Sequence, residues 1–118
     1  MAGILIVDDS PVNRALLKNM LEVEGYEVVG EAEDGKGGYD KFLSLNPAVV
    51  ILDISMPQLS GMDLLKLIKD QDEAAKVVML SANSESEKME EAARCGADAY
   101  VTKPYTKSAI LEAIKKCI

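Results

Sequence analysis

Apolar positions along the chain follow two alternating rhythms. "ILIVDD" after Gly3 is an unbroken apolar run that ends in acid at Asp8, the pattern of a strand buried on both faces. Ser10-Pro11 supplies an N-cap and a favourable first helical residue. Val12, Leu16, Leu17, Met20 and Leu21 then recur at helical spacing and predict an inward stripe, with Gly25 as the stop. "YEVVGEA" reads as a second strand and "DGKGGYDKFLSLN" as a second helix. Gly37 and Gly38 weaken that helix by about 1 kcal/mol each, which predicts looseness at its start. "PAVVILD" is a third strand, "ISMPQLSG" a loop, and "GMDLLKLIKDQ" a third helix with Leu64, Leu65, Leu67 and Ile68 facing inward or nearly so. "KVVMLSA" is a fourth strand. "SESEKMEEAARCG" is an acidic helix capped by Ser84 or Ser86 and ended by Gly96. "AYVTKP" is a short fifth strand, and "TKSAILEAIKKCI" a closing helix.

Five strands thus alternate with five helices. Parallel strands need a crossover of about a dozen residues, and each gap supplies one. Right-handed crossovers place helices on both faces of a single sheet, so the expected class is α/β, doubly wound, with a five-stranded parallel sheet. No repeat, linker or low-complexity stretch interrupts the pattern, which predicts one domain over residues 1–118.

Composition narrows the chemistry. Only 4% of residues are aromatic, so the core must be built from aliphatic side chains. A net charge of -7 speaks against direct nucleic-acid binding, which needs cations to displace counterions, and against docking on an anionic membrane. No apolar run approaches the ~20 residues of a membrane span, and "MAGILIVDD" lacks the basic start of a signal peptide, so a cytoplasmic protein is expected. Cys95 and Cys117 follow no metal spacing and read as reduced, structural thiols. The chain has no histidine, which removes the commonest general base and transition-metal ligand. Carboxylates, lysine, hydroxyls and a hard metal remain.

In an open parallel sheet, ligands bind beyond the carboxyl ends of the strands. The first strand ends in Asp8-Asp9, the third in Asp53, the fourth in Ser81 and the fifth in Lys103-Pro104. Asp and Ser are common turn residues, so any one of these has an ordinary explanation; four converging on one edge do not. Three carboxylates against one ammonium leave about two negative charges unbalanced, and like charges at short range disfavour each other's ionisation. Oxygen-only ligands select magnesium, calcium or manganese, and few protein ligands with open positions favour Mg2+, with Mn2+ as a substitute. Asp53 can then act as a nucleophile on phosphorus. The attack meets like-charge repulsion of about 4 kcal/mol per pair at ~4 Å and an effective dielectric near ~20. Mg2+ on one side and Lys103 on the other would offset it, while the Ser81 hydroxyl donates to a phosphoryl oxygen.

These residues resemble the receiver domain of two-component response regulators, and most of all its stand-alone chemotaxis type. The matching pieces are "ILIVDDS", "VVILDISMPQLSG", "VVMLSA" and "AYVTKPY", and the likeness runs from Gly3 to Ile118. The resemblance implies a flavodoxin-like (βα)5 fold with sheet order 2-1-3-4-5. It implies that Asp53 is the phospho-acceptor, and that Asp8 and Asp9 arrange Mg2+ with the backbone carbonyl of Ser55. It implies that Lys103 and Ser81 contact the phosphoryl group, and that the Lys103-Pro104 peptide is cis. Tyr100 stands where the family keeps its switch aromatic; it would turn inward as Ser81 moves, altering the face formed by the fourth helix, fifth strand and fifth helix. The competing reading of Tyr100 is an amphipathic strand residue with an exposed hydroxyl. Ser55 and Asn83 depart from common family choices at two positions that line the path of the attacking water, where they would tune dephosphorylation.

The expected function is therefore a phosphorylation-driven switch rather than an enzyme with an external substrate. Its expected partners are a sensor histidine kinase or phosphotransfer protein, docking near Asn13 and Arg14 by the same resemblance, and a downstream protein on the switched face. A monomer or a weak phosphorylation-dependent dimer is expected. A phosphohydrolase with a nucleophilic Asp is the alternative, but such enzymes use a second Asp two residues on, where this chain has Ser55. A flavin-binding module of the same topology would want a glycine- and hydroxyl-rich phosphate loop, where this chain has "DDSPVN". A structural pseudo-receiver would lack an acid or the lysine, and none is missing. A receiver belonging to a longer regulator would read the same.

Overall fold

The computed structural model describes residues 3–54, 56, 59–81 and 86–118. The elements are β1 (Gly3–Val7), α1 (Pro11–Val23), β2 (Glu27–Ala32), α2 (Gly35–Leu45), β3 (Val49–Asp53), α3 (Gly61–Gln71), β4 (Lys76–Ser81), α4 (Ser86–Arg94), β5 (Ala99–Thr102) and α5 (Lys107–Cys117). All neighbouring strands pair in parallel, in the order β2-β1-β3-β4-β5. This is the doubly wound α/β sheet that the alternating pattern and the family resemblance imply. Among the described residues, no helix is long and apolar enough to cross a membrane.

Successive residues of a strand point to opposite faces, so an unbroken apolar run must serve two cores. β1 does this: Leu5 and Val7 join Val50, Leu52, Val77 and Met79 under Phe42, Leu64, Leu65 and Ile68. Ile4 and Ile6 join Val49, Ile51, Val78 and Leu80 on the other face, under Leu17, Leu21, Ile110 and Ile114. Cys117 belongs to this second core, where burial pushes its thiol up from the ordinary range and keeps it a packing group. No disulfide joins it to Cys95.

The α1 stripe is narrower than its sequence spacing suggests. Leu17 and Leu21 are buried, but Val12 and Leu16 are 69% and 51% exposed. The period of 3.6 residues places Val12 and Leu16 on one edge of the face, and only the part directly over the sheet is covered. Leu67 of α3 is likewise 39% exposed, while Leu64, Leu65 and Ile68 are fully buried.

Helix α2 differs from expectation in the opposite sense. Asp34 caps it by accepting from the Gly37 N–H at 2.7 Å, and Gly38 is buried. A Cβ at Gly38 would meet Val7 Cγ1 at 2.9 Å and Leu64 Cδ2 at 3.0 Å. The glycine therefore lets α2 settle closely on β1 and α3, and the lost helix propensity is exchanged for packing. The Ser10, Ser60 and Thr106 side chains cap α1, α3 and α5, each accepting from the backbone N–H three residues on. Ser86 is the first residue of α4, and Ser84 lies outside the described residues.

Candidate functional site

The carboxyl ends of β1, β3, β4 and β5 meet at one edge of the sheet. Asp8, one residue past β1, still donates its N–H to Ala32 O at 3.0 Å, so the ladder carries it into a fully buried position. Asp53 closes β3 and is also buried, as is Ser81 at the end of β4. Asp9 is exposed, because the next residue along the chain must point away from the core. One carboxylate oxygen from each of Asp8, Asp9 and Asp53 nevertheless lies within 4.8 Å of the others.

The backbone holds these ends in register. Ile54 N–H donates to Leu80 O at 2.9 Å, and Lys103 N–H donates to Ser81 O at 2.6 Å. Gly61, at the start of α3, folds back on the end of β3. A Cβ there would stand 2.0 Å from the Asp53 carbonyl oxygen and 2.7 Å from Ile54 Cα, so only glycine fits.

The Lys103 ammonium sits between two buried acids, 3.6 Å from Asp8 Oδ2 and 3.5 Å from Asp53 Oδ2. The Lys103–Pro104 peptide is cis. Each Asp8 oxygen also has a protein donor: the Ser10 N–H reaches Oδ1 at 2.9 Å, and the Asn13 side-chain amide reaches Oδ2. The Arg14 guanidinium donates to the Asp8 carbonyl at 2.7 Å and pairs with Glu31 at 3.4 Å. Tyr105 donates its hydroxyl to Asn13 Oδ1.

Two residues thus enter the site that their sequence patterns did not single out for it: Tyr105 and Gly61. Asn13 joins them as a neighbour of Asp8, not only as part of the α1 surface. Asn13 lies in the first turn after Asp8, where an amide can reach back. Tyr105 meets it across 92 positions of sequence, a contact that only the folded chain creates. Ser55 and Asn83 lie outside the described residues.

Burial, followed by the nearby charges of Asp8 and Asp53, pushes the Tyr105 phenol up to about 12. An acid whose folded pKa is raised contributes stability that is whole below its unfolded value near pH 10 and lost as pH rises towards 12. In a phenolate-absorbance titration, one of the four tyrosines is expected to ionise near pH 12, and Tyr105→Phe to remove that step. Four tyrosines ionising together near pH 10 would contradict this placement.

Tyr100 is half-buried on β5 and packs against the Leu5–Met79 core. It lines, with Thr102, Pro104, Tyr105, Ala109 and Glu112, a groove of about 340 Å³ between β5 and α5.

The arrangement is compatible with a hard metal ion. Its donors are oxygens only, two of the three carboxylates are buried, and a neighbouring ammonium offsets part of their charge. Residues 4–115 match the response regulator receiver domain family. The chain is a response regulator receiver domain. This receiver is 38% identical over 113 residues to the chemotaxis protein CheY of Thermotoga maritima, covering 96% of this chain and 94% of that one. It is also similar to the response regulator TrrA of Thermotoga maritima, whose crystal structure is a complex with Mg(2+)-BeF, at 39% identity, a TM-score of 0.91 and full coverage of both chains. The CheX-CheY-BeF3-Mg+2 complex of Borrelia burgdorferi superposes with a TM-score of 0.92 at 30% identity, covering 96% of this receiver and 86% of that chain. Receiver domains are regulatory modules of two-component systems, and the acids at the strand ends of this one stand together in a cluster compatible with Mg2+.

Proposed function

We propose that this receiver accepts a phosphoryl group on Asp53 from the phosphohistidine of a sensor kinase or phosphotransfer protein, and then changes its partner-binding face. The observation that carries the reading is the meeting of Asp8, Asp9, Asp53 and Lys103 at one sheet edge. The Mg(2+)-BeF complexes of two similar proteins support it, since beryllium fluoride is a tetrahedral stand-in for a phosphoryl group.

Asp8, Asp9 and Asp53 would hold Mg2+, joined by the Ser55 carbonyl. The bound ion supplies positive charge to the phosphoryl oxygens, which is the main requirement of such a transfer. The chain's own residues do the rest. An Asp53 carboxylate oxygen attacks phosphorus; the bond to the donor imidazole nitrogen breaks, and its electron pair returns to the ring. Lys103, already against Asp53, neutralises incoming charge. Ser81 donates to a phosphoryl oxygen, and Tyr100 follows it. Ser55 and Asn83 set how readily water reverses the modification, and Asn83 can orient water without deprotonating it. The exposed Val12 and Leu16 beside Asn13 and Arg14 offer the donor an apolar docking surface. The groove beside Tyr100 offers one to the downstream protein. The reading puts the protein in the cytoplasm, with its own phosphorylation and dephosphorylation as its chemistry.

Acetyl phosphate with Mg2+ is expected to add one phosphoryl group to the intact mass. No gain with either reagent saturating would contradict the proposal. For the switch, phosphorylation is expected to shift the backbone amide resonance of Tyr100. In Ser81→Ala the mass gain should persist while that shift shrinks; an undiminished shift would count against coupling through Ser81.

A further inference from the structure

We propose that Asn13 and Tyr105 form a positioning relay for the cation site: the Tyr105 hydroxyl fixes the Asn13 amide, and the amide fixes the Asp8 carboxylate. The relay rests on the reading of the acid cluster as a Mg2+ site.

The geometry gives the amide one workable orientation. A carboxamide has an acceptor end and a donor end. Tyr105 donates to Asn13 Oδ1, and Asn13 Nδ2 donates to Asp8 Oδ2. Reversing the amide would set its oxygen against a buried carboxylate and leave the phenol facing an NH2 group. The hydroxyl thus turns the donor end towards Asp8. With Ser10 N–H on Oδ1, both oxygens of Asp8 are held, and the carboxylate plane is fixed at a position with no solvent exposure. A carboxylate has about four lone-pair sites, so two such bonds leave room for a cation.

Charge explains the residue type. A lysine or arginine at position 13 would also bind Asp8, but it would compete with a divalent ion for the same negative charge. A neutral amide orients the ligand without adding a second cation beside Lys103, which already stands 3.6 Å from the same oxygen. Partners of this kind behind a ligand typically contribute 10- to 100-fold to metal affinity, roughly. Tyr105 also follows Lys103 by two residues, so the relay ties the turn that carries the ammonium to the first turn of α1. Acid and ammonium are thereby held by one framework.

The test is a double-mutant cycle read by calorimetric Mg2+ titration of the full chain. Asn13→Ala is expected to weaken Mg2+ binding about tenfold and Tyr105→Phe, which keeps the ring, about threefold. If Tyr105 acts through Asn13, the double variant binds no more weakly than Asn13→Ala alone. Unchanged affinity in Tyr105→Phe, or losses that multiply in the double variant, would overturn the relay while wild-type binding stands. Failure of the wild type to bind Mg2+ would instead overturn the cation reading beneath it. Should a variant not fold, the wild type decides. The Asn13 side-chain NH2 resonances are expected well away from those of the exposed Asn19 and Asn46, and to move on adding Mg2+. Resonances that coincide with the exposed pair and stay fixed would refute the relay.

Discussion

Asp53→Asn is expected to abolish the mass gain from acetyl phosphate completely. Asn nearly matches Asp in shape, so the buried end of β3 keeps its packing. The chemistry does not survive, because a carboxamide carries no negative charge and its nitrogen lone pair is delocalised into the carbonyl. Asp8 is no substitute: both its oxygens already accept hydrogen bonds, and it is fully buried. Asp9 is exposed and lies outside the pair of acids that Lys103 bridges. The same substitution removes one of two buried like charges, whose repulsion at ~4 Å is about 4 kcal/mol at an effective dielectric near ~20 before Lys103 offsets part of it. Thermal stability in Mg2+-free buffer should therefore rise while acceptor function disappears. A full mass gain persisting in the variant would refute the acceptor assignment.

Gly61→Ala is expected to lower both stability and phosphorylation. The added methyl would need the space held by the Asp53 carbonyl oxygen, 2.0 Å from the ideal Cβ position, and nothing flexible stands there to yield. Backbone must move. Overpacking of this kind costs about 3 kcal/mol, a large share of the ~5–15 kcal/mol that stabilises an ordinary domain. At roughly 4 °C per kcal/mol for a chain of this size, the melting temperature should fall by about 12 °C. The displaced peptide belongs to Asp53, the proposed acceptor, so phosphorylation should slow even at temperatures where the variant is folded. Thermal unfolding followed by circular dichroism, with intact-mass assays on the folded variant, measures both effects. A melting temperature within a degree of the wild type would contradict the close approach.

The sheet was legible because its strands serve two cores at once. Runs such as "ILIV" and "VVIL" have no polar position to spare, and each ends in acid at the same edge of the sheet. Topology then brought Asp8, Asp9, Asp53 and Lys103 together, as strand ends in a parallel sheet must be. What resisted reading lay perpendicular to the strands. The spacing of Val12 and Leu16 could not say how far the α1 stripe extends over the sheet. The Gly37-Gly38 pair looked like a weakness because propensity counts only the helix, whereas Gly38 is set by Val7 and Leu64 on two other elements. Tyr105 and Asn13 carry no local pattern linking them; their contact exists only once α1 and the β5–α5 turn are folded side by side.

The most direct test of the central claim is a Mg2+ titration of the uniformly labelled protein, followed through backbone amide resonances. The claim predicts saturable shifts concentrated at Asp8, Asp9, Asp53 and Lys103, reduced at least tenfold in affinity by Asp8→Asn. Resonances at these positions that stay unmoved to saturating Mg2+ would contradict it.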